Sequence, residues 1–264
     1  MPTDRAALVQ EAVKRLEYFA HLYGLDSLFV AGGYCRSLYL GDLNAVQDID
    51  VASAYADQAV QFGGIFASEV LRSTPQFYER TGTALVVYKN DSGEEINIEF
   101  QGKSTQGYMQ NEDVKAWLHT QSIPDVPLMN NIYGRDFTIN AMIYSLQTKQ
   151  LYDPTEFAVR DFNRQRIVSL LPAEILIKYN PLAITRAIRF SLVLGFRIDE
   201  ELRAAMKAGA ERLLDSFSHD RILKELVRIL EVNSAEGLEL IKRYNLDRVL
   251  LDPSIKQYVY LESE

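Results

Sequence analysis

The stretch Leu28-Phe-Val-Ala-Gly-Gly-Tyr-Cys-Arg36, followed twelve residues later by Asp48-Ile-Asp50, decides the reading of this chain. An apolar run enters a Gly-Gly turn, a short helix carries an arginine, and the next apolar run holds two acids at alternate positions. Side chains at i and i+2 of a strand share one face, so Asp48 and Asp50 project together while Ile49 points into the core. Two adjacent carboxylates repel unless a divalent cation neutralises them, and hard oxygen ligands suit Mg²⁺. The Gly32-Gly33 turn lets backbone amides approach a polyphosphate at a helix N-terminus. Together these features point to metal-assisted chemistry on a nucleoside triphosphate. An Asp-x-Asp alone is most often a solvated strand end, and Gly-Gly alone an ordinary turn. Both in this order, between two apolar runs, make a much narrower pattern.

Length and composition set the frame. The 264 residues can bury a large core in one domain or two, and the 47% hydrophobic and 24% charged fractions are those of a globular protein. The single cysteine, Cys35, excludes an intrachain disulfide and a cysteine-rich zinc site. It is expected to pack under the Gly-Gly helix as a small apolar residue. His21, His119 and His219 are far apart and lack metal-ligand spacing. The N-terminus does not read as a signal peptide and no apolar run is long enough to span a bilayer, so a cytoplasmic protein without a membrane partner is expected. The net charge of −8 weighs against a general nucleic-acid surface. The imbalance is local: residues 1–150 carry −7 and residues 151–264 only −1. The stretch from Thr155 to Phe190 holds six basic residues, Arg186 and Arg189 among them, against three acids. Any triphosphate or phosphate backbone is expected there.

Periodicity gives an α+β order. Residues 4–23 read as an amphipathic helix stopped by Gly24. Leu28–Ala31 and Asp48–Ser53 read as strands, and residues 55–72 as a helix weakened by Gly63-Gly64. Ala84–Tyr88 and Ile96–Phe100 flank Asn90-Asp-Ser-Gly93, a hairpin signal. Residues 101–131 show little periodicity and two prolines, and read as a loop or lid. From Pro172 the pattern is helical throughout. The expected architecture is a small mixed β-sheet with helices over residues 1–170, then an all-helical part over residues 171–264.

The order of motifs resembles the class II CCA-adding enzymes and bacterial poly(A) polymerases of the polymerase-β nucleotidyltransferase superfamily. Arg135-Asp-Phe-Thr-Ile-Asn-Ala-Met142 looks like that family's signature of the same residues. Asp153-Pro154 with Asp161-Phe162 is similar to its Asp-Pro…Asp-Leu segment. Asn180-Pro-Leu-Ala-Ile-Thr-Arg-Ala-Ile-Arg-Phe190, then Leu194-Gly-Phe196, is close to its neck-helix motif. The match runs through roughly residues 25 to 250. It implies a polymerase-β-like nucleotidyltransferase head followed by a helical neck and partial body.

The resemblance implies that Asp48 and Asp50 are the catalytic ligands of Mg²⁺, with Glu99 the candidate third acid on a neighbouring strand. It implies nucleotide contacts at Gly32, Gly33, Arg36 and Arg135, and triphosphate contacts at Arg186 and Arg189. Asp136 and Asn140 are read as structural. At the neck, Asn180 suits a helix N-cap and Pro181 a first helical position. The family's base-reading Glu-Asp-x-x-Arg is Tyr179, Asn180 and Ala183 here. Asn180 can still donate and accept, while Ala183 can do neither. Residues 103–120 lack the family's arginines, the acids preceding its signature are Asn130 and Asn131, and the signature's first arginine is Gly134. The implied function is Mg²⁺-dependent transfer of NMP from an NTP, ATP or CTP, to an RNA 3′ end such as that of a tRNA, with altered nucleotide selectivity. Transfer to a protein or small molecule, and a catalytically weak nucleotide-binding regulator, are the alternatives.

Overall fold

Helix α1 (Arg5–Leu22) opens the computed structural model, which describes residues 5–55, 57–79, 81–102, 107–216 and 219–247. Its stripe Leu8, Val9, Ala12, Val13, Leu16 and Ala20 is buried. One acid sits in that stripe. Glu17 is buried, and its carboxylate accepts a hydrogen bond from the Tyr144 hydroxyl at 2.7 Å and pairs with Lys149 Nζ at 3.2 Å. A buried carboxylate without such partners would be costly.

Packing divides the chain into two units. The first takes residues through Arg135 together with Ile139–Val159, and the second takes Asp136–Thr138 with Arg160 onward. In the first unit β1 (Leu28–Ala31), α2 (Gly33–Leu40), β2 (Asp48–Ser53), α3 (Gln58–Ile65), β3 (Gln76–Tyr78), β4 (Thr83–Lys89) and β5 (Glu95–Phe100) follow α1. Helices α4 (Glu112–Thr120) and α5 (Pro127–Tyr133) come next, then β6 (Ile143–Ser145) and β7 (Leu151–Tyr152). The strands form one mixed sheet in the order β3-β4-β5-β2-β1-β6-β7. The β2–β5 pair is parallel, and its register sets Asp48 against Asn97 and Asp50 against Glu99. The other described neighbours are antiparallel.

Alternation sorts the two faces. Val30, Ile49, Val51, Val86, Ile98 and Phe100 are buried on one, where the Phe62, Phe66 and Phe100 rings pack with centroids 5.8 to 6.1 Å apart. Asp48 is exposed and Asp50 half-buried on the other. There Phe29, Ala31 and Ala52 are covered by Leu128 of α5.

The second unit begins where the Phe137 backbone bridges Ser169, flanked by Thr138 N to Val168 O at 3.0 Å and Leu170 N to Asp136 O at 3.1 Å. Helix α6 (Phe157–Asn163) leads into it. There β8 (Arg166–Ile167) pairs in parallel with β9 (Arg197–Ile198). Helices α7 (Ala173–Tyr179), α8 (Ala183–Leu194), α9 (Glu200–Gly209), α10 (Arg212–Ser216), α11 (His219–Val232) and α12 (Ser234–Arg243) complete it. The core is Ile184, Ala187 and Ile188 of α8 with Ile222, Leu226 and Ile229 of α11 and Ile241 of α12. No described helix is long and apolar enough to cross a membrane.

Three expectations are corrected. Residues 107–131 are not a loop: they hold a short 3₁₀ turn, α4 and α5. Val114 and Leu118 bury a stripe too short to register as periodicity, and Pro127 begins α5 where a proline is tolerated. Residues 103–106 lie outside the described residues. The helix read over residues 55–72 is shorter, with α3 widening into a π-helical turn at Phe66–Val70. Asn180 is not an N-cap. It closes α7 at φ −138°, and α8 starts at Ala183 after Leu182.

The two glycines of α3 differ in sign. A Cβ on Gly63 would lie 2.6 Å from the Phe100 ring, whereas one on Gly64 would meet nothing within 4 Å. Gly64→Ala is expected to stabilise by up to about 1 kcal/mol through helix propensity. Gly63→Ala should destabilise by about 1–3 kcal/mol through overpacking. Urea midpoints moving in opposite directions check this.

Candidate active site

The turn after β1 is built on Gly32, whose backbone stands at φ 69° and ψ −128°. That conformation is open to glycine and strained for other residues. Space imposes the same demand. A Cβ at Gly32 would lie 2.8 Å from Arg135 Nη1 and 2.8 Å from Asp50 Oδ2. The turn therefore gathers a guanidinium, a carboxylate and a backbone bare of side chain around one point. Gly33 begins α2, and Cys35 is fully buried beneath it, its thiol donating to Val30 O at 3.1 Å. Burial pushes that thiol up to about 12, so it is held neutral.

Three carboxylates sit on the exposed side of the β2–β5 pair. Asp50 and Glu99 are direct register partners, and Asp48 is two residues before Asp50 on the same face. Glu99 is half-buried, and its carboxyl is raised above the usual range by burial first, then by the charges of Asp50 and Asp48. Like charges this close disfavour full ionisation. Among the described residues, no group of three or more His, Cys, Asp or Glu side chains is placed to hold a metal ion. The donor set nevertheless fits Mg²⁺, which is ordinarily held by one or two carboxylates and completes its shell with water and substrate phosphate.

Two arginines flank the turn. Arg36 Nη1 donates to Asn140 Oδ1 at 2.6 Å, and Arg135 Nη2 donates to Asn131 Oδ1 at 3.1 Å. Asn131 in turn donates to Gln101 Oε1 at 2.9 Å. Neutral amides thus hold both guanidinium groups. The Arg135 Nε is buried and has no hydrogen-bond partner among the described residues. Tyr108 donates its hydroxyl to the Gly134 carbonyl, fastening the turn before α4 to the signature segment. Sequence reading missed the Gln101–Asn131–Arg135 chain because Gln101 lies 30 residues before Asn131.

In the second unit, Arg186 Nε lies 3.0 Å from Asp136 Oδ2, and Arg189 Nε lies 3.3 Å from Glu225 Oε2. The Arg189 guanidinium also sits 4.6 Å from the Phe190 ring centroid. Burial lowers its pKa, opposed by the nearby Glu225 charge. Arg228 Nη1 reaches the other Glu225 oxygen at 2.9 Å. Glu225 was not singled out from sequence. Its signal is an acid on the stripe Ile222, Leu226 and Ile229, where a residue must be buried. Asp161 accepts from Thr138 Oγ1 at 2.8 Å and from both Arg160 Nε and Nη2 at 2.9 Å, while Asp153 accepts from Val159 N at 2.9 Å at the start of α6. These acids are structural. Asn180 is half-buried. Ala183 is fully buried.

Comparison with known proteins sets this geometry in a family. A family model described as "Poly A polymerase head domain" matches residues 28–168, and one described as "Probable RNA and SrmB- binding site of polymerase A" matches residues 195–259. A CCA-adding enzyme of Lactococcus lactis subsp. cremoris is 28% identical over 212 residues, covering 79% of this chain and 47% of the relative. The mitochondrial CCA tRNA nucleotidyltransferase of Saccharomyces cerevisiae is 26% identical over 238 residues, covering 85% of this chain and 42% of the relative. The chain therefore spans about half the length of the curated relatives it matches. Among solved structures, the Thermotoga maritima CCA-adding enzyme complexed with tRNA superposes with a TM-score of 0.70 at 24% identity, covering 93% of this chain and 53% of that one. The head-domain match takes in the Gly32 turn, all three carboxylates and Arg135, and the chain belongs to the poly(A) polymerase head-domain family.

Proposed function

We propose that this chain transfers a nucleoside monophosphate from an NTP to the 3′-hydroxyl of an RNA, with a tRNA end as acceptor, releasing pyrophosphate. The observation that carries the reading is the row Asp48, Asp50 and Glu99 beside the left-handed Gly32 turn. The relatives support it: those matched in sequence include CCA-adding enzymes and a CCA tRNA nucleotidyltransferase, and solved neighbours include complexes with ATP and with CTP.

Asp48 and Asp50 would hold Mg²⁺, which when bound supplies charge neutralisation at the transferring phosphate and a more acidic attacking hydroxyl. The protein's share is positioning and preorganised charge. Gly32 lets main chain approach the phosphates without a Cβ, Gly33 starts the adjoining helix, and Arg36 and Arg135 bring positive charge to that turn. Arg186 and Arg189 are assigned to the triphosphate, each with donors left after its carboxylate partner is served. Glu99 is assigned as the third acid.

Base choice is the finer part of the proposal. A site that reads a base by hydrogen bonds rejects others strongly because the wrong base leaves buried polar groups unpaired. Ala183 is inside the core and Asn180 is the one amide left at that motif, so selection rests on shape and is relaxed.

Three expected outcomes follow from this reading. Asp48→Asn or Asp50→Asn should abolish transfer of labelled nucleotide to RNA, and Asp48→Asn, at an exposed position, should leave the urea midpoint nearly unchanged; near-normal turnover in either variant would falsify the metal assignment.

The raised Glu99 pKa has a sign that can be checked without turnover. A carboxyl whose folded pKa exceeds its unfolded value makes the folded state bind the extra proton. Stability is then lost as pH rises from the ordinary glutamate pKa through the folded value. Without divalent cation, Glu99→Gln should stabilise the chain at neutral pH and have little effect below the ordinary glutamate pKa. Added Mg²⁺ should raise the Tm of the unaltered chain at neutral pH and lose that effect in acid. Thermal melts across pH measure both, and a variant that destabilises at neutral pH contradicts the carboxylate row.

For selectivity, initial rates of the four NTPs on one RNA primer should differ by about 100-fold or less, the range of shape-based pockets. Ordered addition of C, C and A with strong rejection of the others would place base reading elsewhere.

A further inference from the structure

The sheet face that carries the acids is covered on one side and open on the other. On the β1 side, Leu128 of α5 packs onto Phe29, Ala31 and Ala52. On the β5 side, the same face runs outward across β4 to β3, and register defines it. Asp50 pairs with Glu99, Glu99 with Leu85, and Leu85 with Gln76. Directly paired residues share a face, so one row crosses four strands from the acid to the sheet edge. Leu85 is half-buried, while Val87 and Tyr78, its neighbours on that face, are 47% and 43% exposed. Strands lie about 4.8 Å apart, so Leu85 is roughly two spacings, about 10 Å, from the Asp50 backbone.

We propose that this open face of β5, β4 and β3 seats the acceptor, with the unpaired bases at the 3′ end of a single-stranded RNA lying on Leu85 and Val87 and stacking on Tyr78. The proposal rests on the reading above that the chain adds nucleotides to RNA. Transfer requires the acceptor hydroxyl within about 3–3.5 Å of the phosphorus held at the acids, so the terminal nucleotide must lie beside Asp50. Leu128 covers the β1 side, and the strand β5 side is open. Charge fixes which part of the RNA faces the sheet. The strands of this face carry four acids, Asp48, Asp50, Glu95 and Glu99, and Lys89 on it is ion-paired to Glu95 at 3.2 Å. A phosphodiester backbone laid on it would be repelled, whereas base faces meet an aliphatic and aromatic floor. Stacking of this kind is tolerant of base identity because every base has a π-face.

The test uses the full chain and a short single-stranded RNA primer, with KM measured separately for primer and NTP. Tyr78→Ala should raise the primer KM by about 5- to 100-fold, the range for losing one stacked base, with the NTP KM unchanged. Tyr78→Phe should restore the primer KM, since stacking needs the ring and not the hydroxyl. A primer carrying a photoreactive base at the penultimate position should crosslink to the peptide spanning β3 and β4. An unchanged primer KM in Tyr78→Ala, or an equal rise for primer and NTP, overturns the platform while leaving the transferase reading in place. If the unaltered chain transfers nothing to RNA and labels a protein or a small molecule instead, the functional reading itself fails and the platform falls with it.

Discussion

The parallel pairing of β2 with β5 is the constraint on which the rest of the first unit depends. Strand pairs with period-two side chains allow a single register once one face is buried. Here Ile49, Val51, Ile98 and Phe100 are buried with 0% exposure. A one-residue slip of β2 would put Asp48 and Asp50 into that core and Ile49 and Val51 into water. Two buried, unpaired carboxylates would cost far more than the chain has in net stability. The apolar face thus fixes where the acids point, and the parallel register brings Glu99 level with Asp50. A parallel pair needs a long connection. This one contains α3 and the β3–β4 ribbon, and α3 returns to bury Phe62 against Phe100, the last residue of β5. The segment that separates the acids in sequence also supplies the packing that aligns them.

The two pairs of arginines are held by different chemistry, and the difference bears on what each can do. Arg36 and Arg135 each donate to a neutral amide, Asn140 and Asn131, and Arg135 also shares the Gly32 turn with the Asp50 carboxylate. Arg186 and Arg189 are held by the buried carboxylates of Asp136 and Glu225. Removing either arginine would take one partner from a buried acid, although Glu225 would keep Arg228. Each arginine contributes oriented N–H donors, and Glu225 is shared between Arg189 and Arg228. The first pair suits attraction of an anion to a site where carboxylates already stand. The second suits directional recognition of one by hydrogen bonds.

How much could be read in advance follows the same physics. The strands at Leu28–Ala31 and Asp48–Ser53 were legible to the residue, because apolar alternation bounded by glycine and polar turns leaves little freedom. The buried thiol of Cys35 and the inward turn of Ile49 were legible for that reason. Helices α4 and α5 were not. Their buried stripes are two residues each, Val114 with Leu118 and Ile132 with Tyr133, and the prolines between them read as breakers when Pro127 in fact starts a helix. The neck was misread by two residues because Asn-Pro fits a helix entry locally, while the packing of Leu176 and Ile177 carries α7 up to Tyr179 and makes Asn180 its end. Tethers such as Gln101 to Asn131 and Glu225 to Arg189 join residues far apart in sequence and leave no periodic trace.

The positions where this chain departs from the motifs it resembles share one character. Asn130, Asn131, Gly134, Asn180 and Ala183 are neutral where those motifs carry charge. The structure gives some of them other work. Asn131 links Gln101 to Arg135, Gly134 offers its carbonyl to Tyr108, Asn180 ends α7, and Ala183 is a buried residue at the start of α8. An arginine at the position of Ala183 would have to bury its guanidinium among Ile184, Ala187 and their neighbours, so restoring the charge by one substitution would break packing before it restored recognition. The neutral residues are therefore set into their local structure as a group. On the reading proposed here, the acids and the Gly32 turn retain the chemistry of transfer, and selection of the nucleotide has passed from hydrogen bonding to shape.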